Sequence, residues 1–146
     1  MSGPRKRGLA SSLREHRGPA ERLAARTLEL IDIPSESRHE ARLAAHVGGL
    51  VGADDLGDDC LLVRRGAPVL LAGHLDTVPA QDNLPGRIDG ERVHGLGASD
   101  MKGALAVMIE LALAGAPFDC LFFGREELPA AHSALAPLLS RERLEY

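Results

Sequence analysis

The sequence predicts an α/β fold: a mostly parallel, buried sheet flanked by helices. Three observations carry this. Two short apolar runs, residues 68–72 and 119–123, have the length and apolar content of strands covered on both faces. Between them lie a long loop bearing Gly and Pro and then a run, 104–109, that is apolar on every side of a helix. Strand, loop, helix, strand is a βαβ unit, whose two strands lie parallel through a right-handed crossover.

Residues 1–18 are basic and contain only Leu9 and Leu13 as large apolar side chains, so a disordered extension is expected there, with one domain over 19–146. The extension lacks the apolar core of a secretory signal. Pro19 suits a first helical position, and Ala20, Leu23, Ala24, Thr27, Leu30 and Ile31 recur at helical spacing until Pro34 stops the helix. Ser37 and Glu40 have capping-box spacing before a second helical face of Leu43, Val47, Leu50 and Val51. Asp54, Asp55, Asp58 and Asp59 suggest a calcium loop but lack its spacing and closing Glu, so a solvated turn is expected, then a strand over 60–64. Residues 78–99 read as loop, with a hairpin over 87–94 turning at Asp89 and Gly90. Gly115 and Pro117 stop the apolar helix. A weaker helical segment begins at Pro129 and is interrupted by Pro137.

The totals exclude several classes. A chain of 146 residues suits one domain with a real core, and 45% hydrophobic with 3% aromatic residues means a core of Leu, Val and Ala. A net charge of −4 argues against a nucleic-acid partner. No stretch reaches the ~18 apolar residues of a membrane span. Cys60 and Cys120 lack metal or redox spacing, which fits reduced thiols in a cytoplasmic protein.

The chemistry gathers where the first strand ends. Its apolar run breaks at Gly73 and delivers His74 and Asp76 to the carboxyl edge of the sheet, where sites of parallel sheets form. Glu126 and Glu127 leave the second strand at that edge, and Asp100 stands where the crossover helix begins, also on that edge. His74 is a neutral donor suited to zinc. Asp76, two residues on, shares its face and can accept the other ring N–H; otherwise it caps a turn. Asp100 by itself reads first as a helix N-cap, and beside His74 and Glu127 as a carboxylate bridging two cations. Glu126 and Glu127 are adjacent and point different ways, so one can bind metal while the other faces the attacked water.

These residues resemble the co-catalytic zinc aminoacylase and metallopeptidase family, which includes succinyl-diaminopimelate desuccinylases, acetylornithine deacetylases and carboxypeptidases of the glutamate type. The likeness runs through LLAGHLDTVP (70–79), GLGASDMKGALAVM (95–108) and FFGREE (122–127), and extends back to about Leu28. Within the family, HLDTVPAQDNLPGRIDGERVHGLGASDMKG is similar to the desuccinylases of the actinobacterial type.

The resemblance implies two zinc (or cobalt) ions. His74 would bind one, Asp76 would orient His74, Asp100 would bridge both, Glu127 would bind the second, and Glu126 would be the general base. It implies a cis peptide between Asp100 and Met101. It also implies a small-molecule N-acyl amino acid substrate, such as N-succinyl-LL-diaminopimelate, and homodimers among full-length members. In the family a further carboxylate and a late His complete the two sites, and a lid domain is inserted. Residues 19–146 would then be the N-terminal portion of the catalytic domain without its lid, binding metal weakly and turning over little or not at all. His132 is not expected to replace the late His. Arg125 would lower the basicity of Glu126 if it folded inward, and an outward course is expected. The rivals are another N-acyl amino acid deacylase of the family and a non-catalytic remnant that binds through its exposed sheet edge.

Overall fold

The computed structural model describes residues 18–141 and Leu144; of the extension expected over 1–18, residues 1–17 lie outside the described residues. Helix α1 (Pro19–Ile31) starts at Pro19 as the spacing predicts, and the Glu21 carboxylate accepts the Gly18 N–H at 3.3 Å. Its inner face buries Arg26, Thr27, Leu30 and Ile31. Helix α2 (Ala41–Val51) packs through Leu43, Ala44 and Val47 and ends at Gly52, whose left-handed φ of 63° a residue with a β-carbon adopts poorly. The capping box does not form. Glu40 occupies the cap position without a side-chain bond to the helix, and the Ser37 hydroxyl donates instead to Asp76 at 2.6 Å.

Among the described residues the sheet has four strands, β1 (Asp54–Gly57), β2 (Cys60–Val63), β3 (Leu70–His74) and, after the crossover, β6 (Asp119–Phe123). Their order is β1-β2-β6-β3. β3 and β6 are parallel, as a βαβ unit requires, but β1 with β2 and β2 with β6 are antiparallel. The sheet is therefore mixed, with one parallel pair, rather than mostly parallel: β2 arrives by a tight hairpin from β1 and runs opposite to β6. The acidic stretch expected as a solvated turn divides accordingly. Asp54 and Asp55 are in strand β1, and only Asp58 and Asp59 turn, both in left-handed conformations.

A separate hairpin pairs β4 (Arg87–Asp89) with β5 (Arg92–His94), as expected. Helix α3 (Gly103–Leu113) buries Leu105, Ala106, Met108, Ile109 and Ala112 but leaves Val107 and Leu113 about half exposed, so it is not covered all round. After a short 3-10 turn (Ala130–His132), helix α4 (Leu135–Arg141) runs through Pro137. The proline does not interrupt it, because in the first turn no intrahelical N–H is needed.

Helices pack on both faces of β2 and β6. Leu30, Leu43, Val47, Leu105 and Ile109 of α1 to α3 pack with Phe122 on one side; Leu138 of α4 packs with Cys60, Leu62 and Leu121 on the other. β3 is an edge strand of the described sheet, with Leu70 and Leu71 half-buried and Ala72 exposed, so the run over 68–72 is not covered on both faces, contrary to expectation. Among the described residues no helix is long and apolar enough to cross a membrane.

Candidate metal centre

β3 and β6 run in register, with His74 opposite Phe123, so both strands deliver their next residues to one rim. Gly73 lets that end of β3 lie close against α3, since a β-carbon there would fall 2.9 Å from Leu105 and from the Met108 sulfur. His74 is buried, and its Nε2 lies 2.9 Å from Asp100 Oδ1 and 4.0 Å from Glu126 Oε2. His74, Glu126 and Glu127 each present a ligand atom within 4.8 Å of the other two.

Asp100 arrives by an irregular route. The chain makes a wide turn (Ala98–Lys102) in which Asp100 has φ −133° and ψ 95°, and its peptide bond to Met101 is cis. Helix α3 starts only at Gly103, with Lys102 at the cap position. Asp100 is thus not the cap of that helix. Its carboxylate, 74% exposed, is free to meet His74.

Asp76 does something the sequence did not disclose. The His74 Nδ1 proton goes first to the Asp76 backbone carbonyl, at 3.0 Å, with the Asp76 carboxylate farther off at 3.5 Å. That fully buried carboxylate instead accepts the N–H groups of Glu126 (3.0 Å) and Glu127 (3.1 Å) and the Ser37 hydroxyl. One side chain therefore supports both the imidazole and the backbone carrying the two glutamates. Lys102 was missed as well. Its ammonium is buried, donating to the carbonyls of Leu30 at 2.8 Å and Ile33 at 2.9 Å, and so ties the Asp100 turn to the end of α1. The available signal was a single cation directly before an apolar helix.

The electrostatics follow from these contacts. Burial opposes charge on His74, but the carboxylates of Asp76 and Asp100 outweigh it and raise the imidazole to about 9. Burial works against ionised Asp76 too, yet His74, Ser37 and the two amides bring it down to about 2. Burial and the neighbouring Asp100 and Glu126 push Glu127 up. Burial lowers Lys102 to about 8.

An imidazole and three carboxylates suit a divalent cation. Asp76 and Asp100 favour the charged imidazole, so positive charge is favoured where a cation would be held. The donor set fits a metal on chemical grounds. Beside Asp100 and Glu127 opens a cleft of about 500 Å³ lined also by Thr77, Asn83, His94 and Ser99. Arg125 points away from Glu126, its guanidinium resting on Asp58.

Residues 70–146 match the model of peptidase family M20/M25/M40. The chain is 44% identical over 123 residues to a putative succinyl-diaminopimelate desuccinylase of Mycobacterium tuberculosis, covering 75% of this chain and 35% of that protein. It is 39% identical over 94 residues to the succinyl-diaminopimelate desuccinylase of Corynebacterium glutamicum, covering 57% of this chain and 26% of the relative. The chain thus spans about a third or less of these relatives' lengths. Among solved structures, human carnosine dipeptidase 1 superposes with a TM-score of 0.64 at 20% identity, over 90% of this chain and 36% of that one. That likeness is one of fold.

Proposed function

The chain belongs to peptidase family M20/M25/M40, and on that premise we propose that it is the N-terminal portion of a metal-dependent hydrolase of N-acyl amides. Its proposed substrate is N-succinyl-LL-diaminopimelate, split to succinate and LL-diaminopimelate. The reading is carried by the meeting of His74, Asp100, Glu126 and Glu127 from three distant segments on one rim. The two relatives named as desuccinylases support the substrate.

His74, Asp100 and Glu127 would hold zinc, and Asp100 is proposed to serve as a ligand to two ions. When bound, the metal would polarise the amide carbonyl and acidify a water. Glu126, about half exposed beside His74, would take the water's proton and pass it to the departing amine. Asp76 would keep the imidazole and both glutamates in place. Three ligands are fewer than a closed pair of sites needs, so the 146 residues alone are proposed to bind metal weakly and turn over little.

The test is calorimetric zinc titration of the chain, with assays of the chain and of a form extended to the relatives' length on succinyl-diaminopimelate and acetylornithine. Zinc uptake that is lost on His74→Ala, and turnover of the succinyl substrate by the extended form that disappears in Glu126→Gln, are the expected results. No zinc uptake would reject the metal centre. Preference for acetylornithine would replace the substrate, and full turnover by Glu126→Gln would remove the base.

A further inference from the structure

Residues 124–127 turn sharply after β6, and the amides of Arg125, Glu126 and Glu127 are held by buried carboxylates. Glu40, fully buried at the start of α2, accepts the Arg125 N–H at 3.0 Å, and Asp76 accepts the next two. Gly124 makes room for this approach, since a β-carbon there would stand 3.0 Å from Glu40 Oε1. Arg125 itself has a φ of 59°, a left-handed conformation that its β-carbon disfavours. Something outside the residue must hold it there.

The side chain supplies that hold. Its Nε donates to the His132 carbonyl at 2.8 Å, and both terminal nitrogens pair with the two oxygens of Asp58 on the turn between β1 and β2. A forked guanidinium fixes orientation as well as distance, which an ammonium cannot. The same contact holds the Asp58 carboxyl below the usual carboxylate range. Three separate elements thus grip the residue directly before Glu126.

We propose that Arg125, clasped by Glu40 at its amide and by Asp58 at its guanidinium, is a positioning residue that aims Glu126 and Glu127 toward His74. The inference rests on the metal-centre reading only for its zinc readout. Partners that orient ligands from behind commonly set metal affinity by 10–100-fold.

The experiment compares Arg125→Ala, Asp58→Ala and the double variant, with Glu91→Gln on the exposed β4–β5 turn as control. Amide exchange of Glu126 and Glu127 is followed by NMR in the zinc-free chain, and zinc affinity by calorimetry well below the unfolding transition. Each single variant should speed exchange of both amides at least about tenfold and weaken zinc about tenfold or more. The double variant should lose no more than Arg125→Ala alone, because Asp58 acts through Arg125. Unchanged exchange in the single variants, or losses that add in the double, would overturn the proposal. Should Arg125→Ala fail to fold, Asp58→Ala decides, since that side chain is 45% exposed and is removed without opening the core. A parent chain that takes up no zinc would count against the metal-centre reading alone, and exchange would still decide the clasp.

Discussion

Replacing Asp76 by Asn tests how much of the site one buried carboxylate supports. The carboxylate accepts the Glu126 and Glu127 amides and the Ser37 hydroxyl, at 3.0, 3.1 and 2.6 Å. An Asn has one accepting oxygen, and its NH₂ must face a donor. At least one of the two backbone N–H groups then loses its partner, at about 1–3 kcal/mol, and the remaining bonds lose their charge assistance. A second route gives a similar figure. The carboxyl lies at about 2 in the folded chain against 3.8 for a free one, a gap worth roughly 2–3 kcal/mol. Because the folded value is the lower one, this stability is complete above pH 3.8 and is lost as pH falls through 2. Urea unfolding followed by circular dichroism should therefore show Asp76→Asn about 2–4 kcal/mol less stable at neutral pH. The difference should shrink between pH 4 and 2, where the parent's own carboxyl takes up a proton. A difference under about 1 kcal/mol at neutral pH, or one that ignores pH, would refute the reasoning.

If His74 ligates zinc as proposed, zinc would have to displace the proton that His74 favours up to about 9, so zinc affinity should rise with pH by up to about tenfold per unit from 6 toward 9, with proton release measurable by calorimetry in buffers of different ionisation heat. Metal-free stability should move the opposite way: His74 is raised above its ordinary 6.5, so its contribution is full below 6.5 and fades as pH climbs through 9, which urea midpoints across that window will report. Lys102→Met removes two bonds from a charged donor to the Leu30 and Ile33 carbonyls, while relieving the burial of an ammonium; a net loss of about 2 kcal/mol is expected by the same unfolding assay, and a neutral result would deny Lys102 its role as a tie. Gly97→Ala forces a β-carbon into a φ of 73°, 2.7 Å from Thr77 Cγ2 and 3.2 Å from the Asp100 carbonyl oxygen. It should cost about 1–3 kcal/mol and weaken zinc binding, with unchanged melting and titration curves as the contrary outcome.

Much of the fold was legible because it rests on local patterns. Pro19 opens α1, helical spacing marks α1 and α2, and Asp89 and Gly90 sit at the β4–β5 turn. The misreadings arise where a residue's partner is distant. Ser37 looked like a cap by spacing, but Asp76, 39 residues away, takes its hydroxyl. Asp58 is exposed in a turn as expected, and what the sequence hid is that Arg125, 67 residues on, reaches it. Pro137 differs in being a local matter: a first helical turn accepts it, so it does not break the helix.

By itself the sequence determined which chemical groups this protein can bring to a site, and that two apolar strands would carry His74 and the glutamates to the same edge. Periodicity and the parallel βαβ rule act over short stretches, so residue order alone conveys them. Only the tertiary structure decided which groups meet: that Asp100 reaches His74 instead of capping α3, that Asp76 bonds to the backbone of Glu126 and Glu127, and that Glu40 and Lys102 lie buried beneath them. Those pairings join residues dozens of positions apart, and a buried charge selects its partner by three-dimensional proximity in a medium that leaves few unpaired.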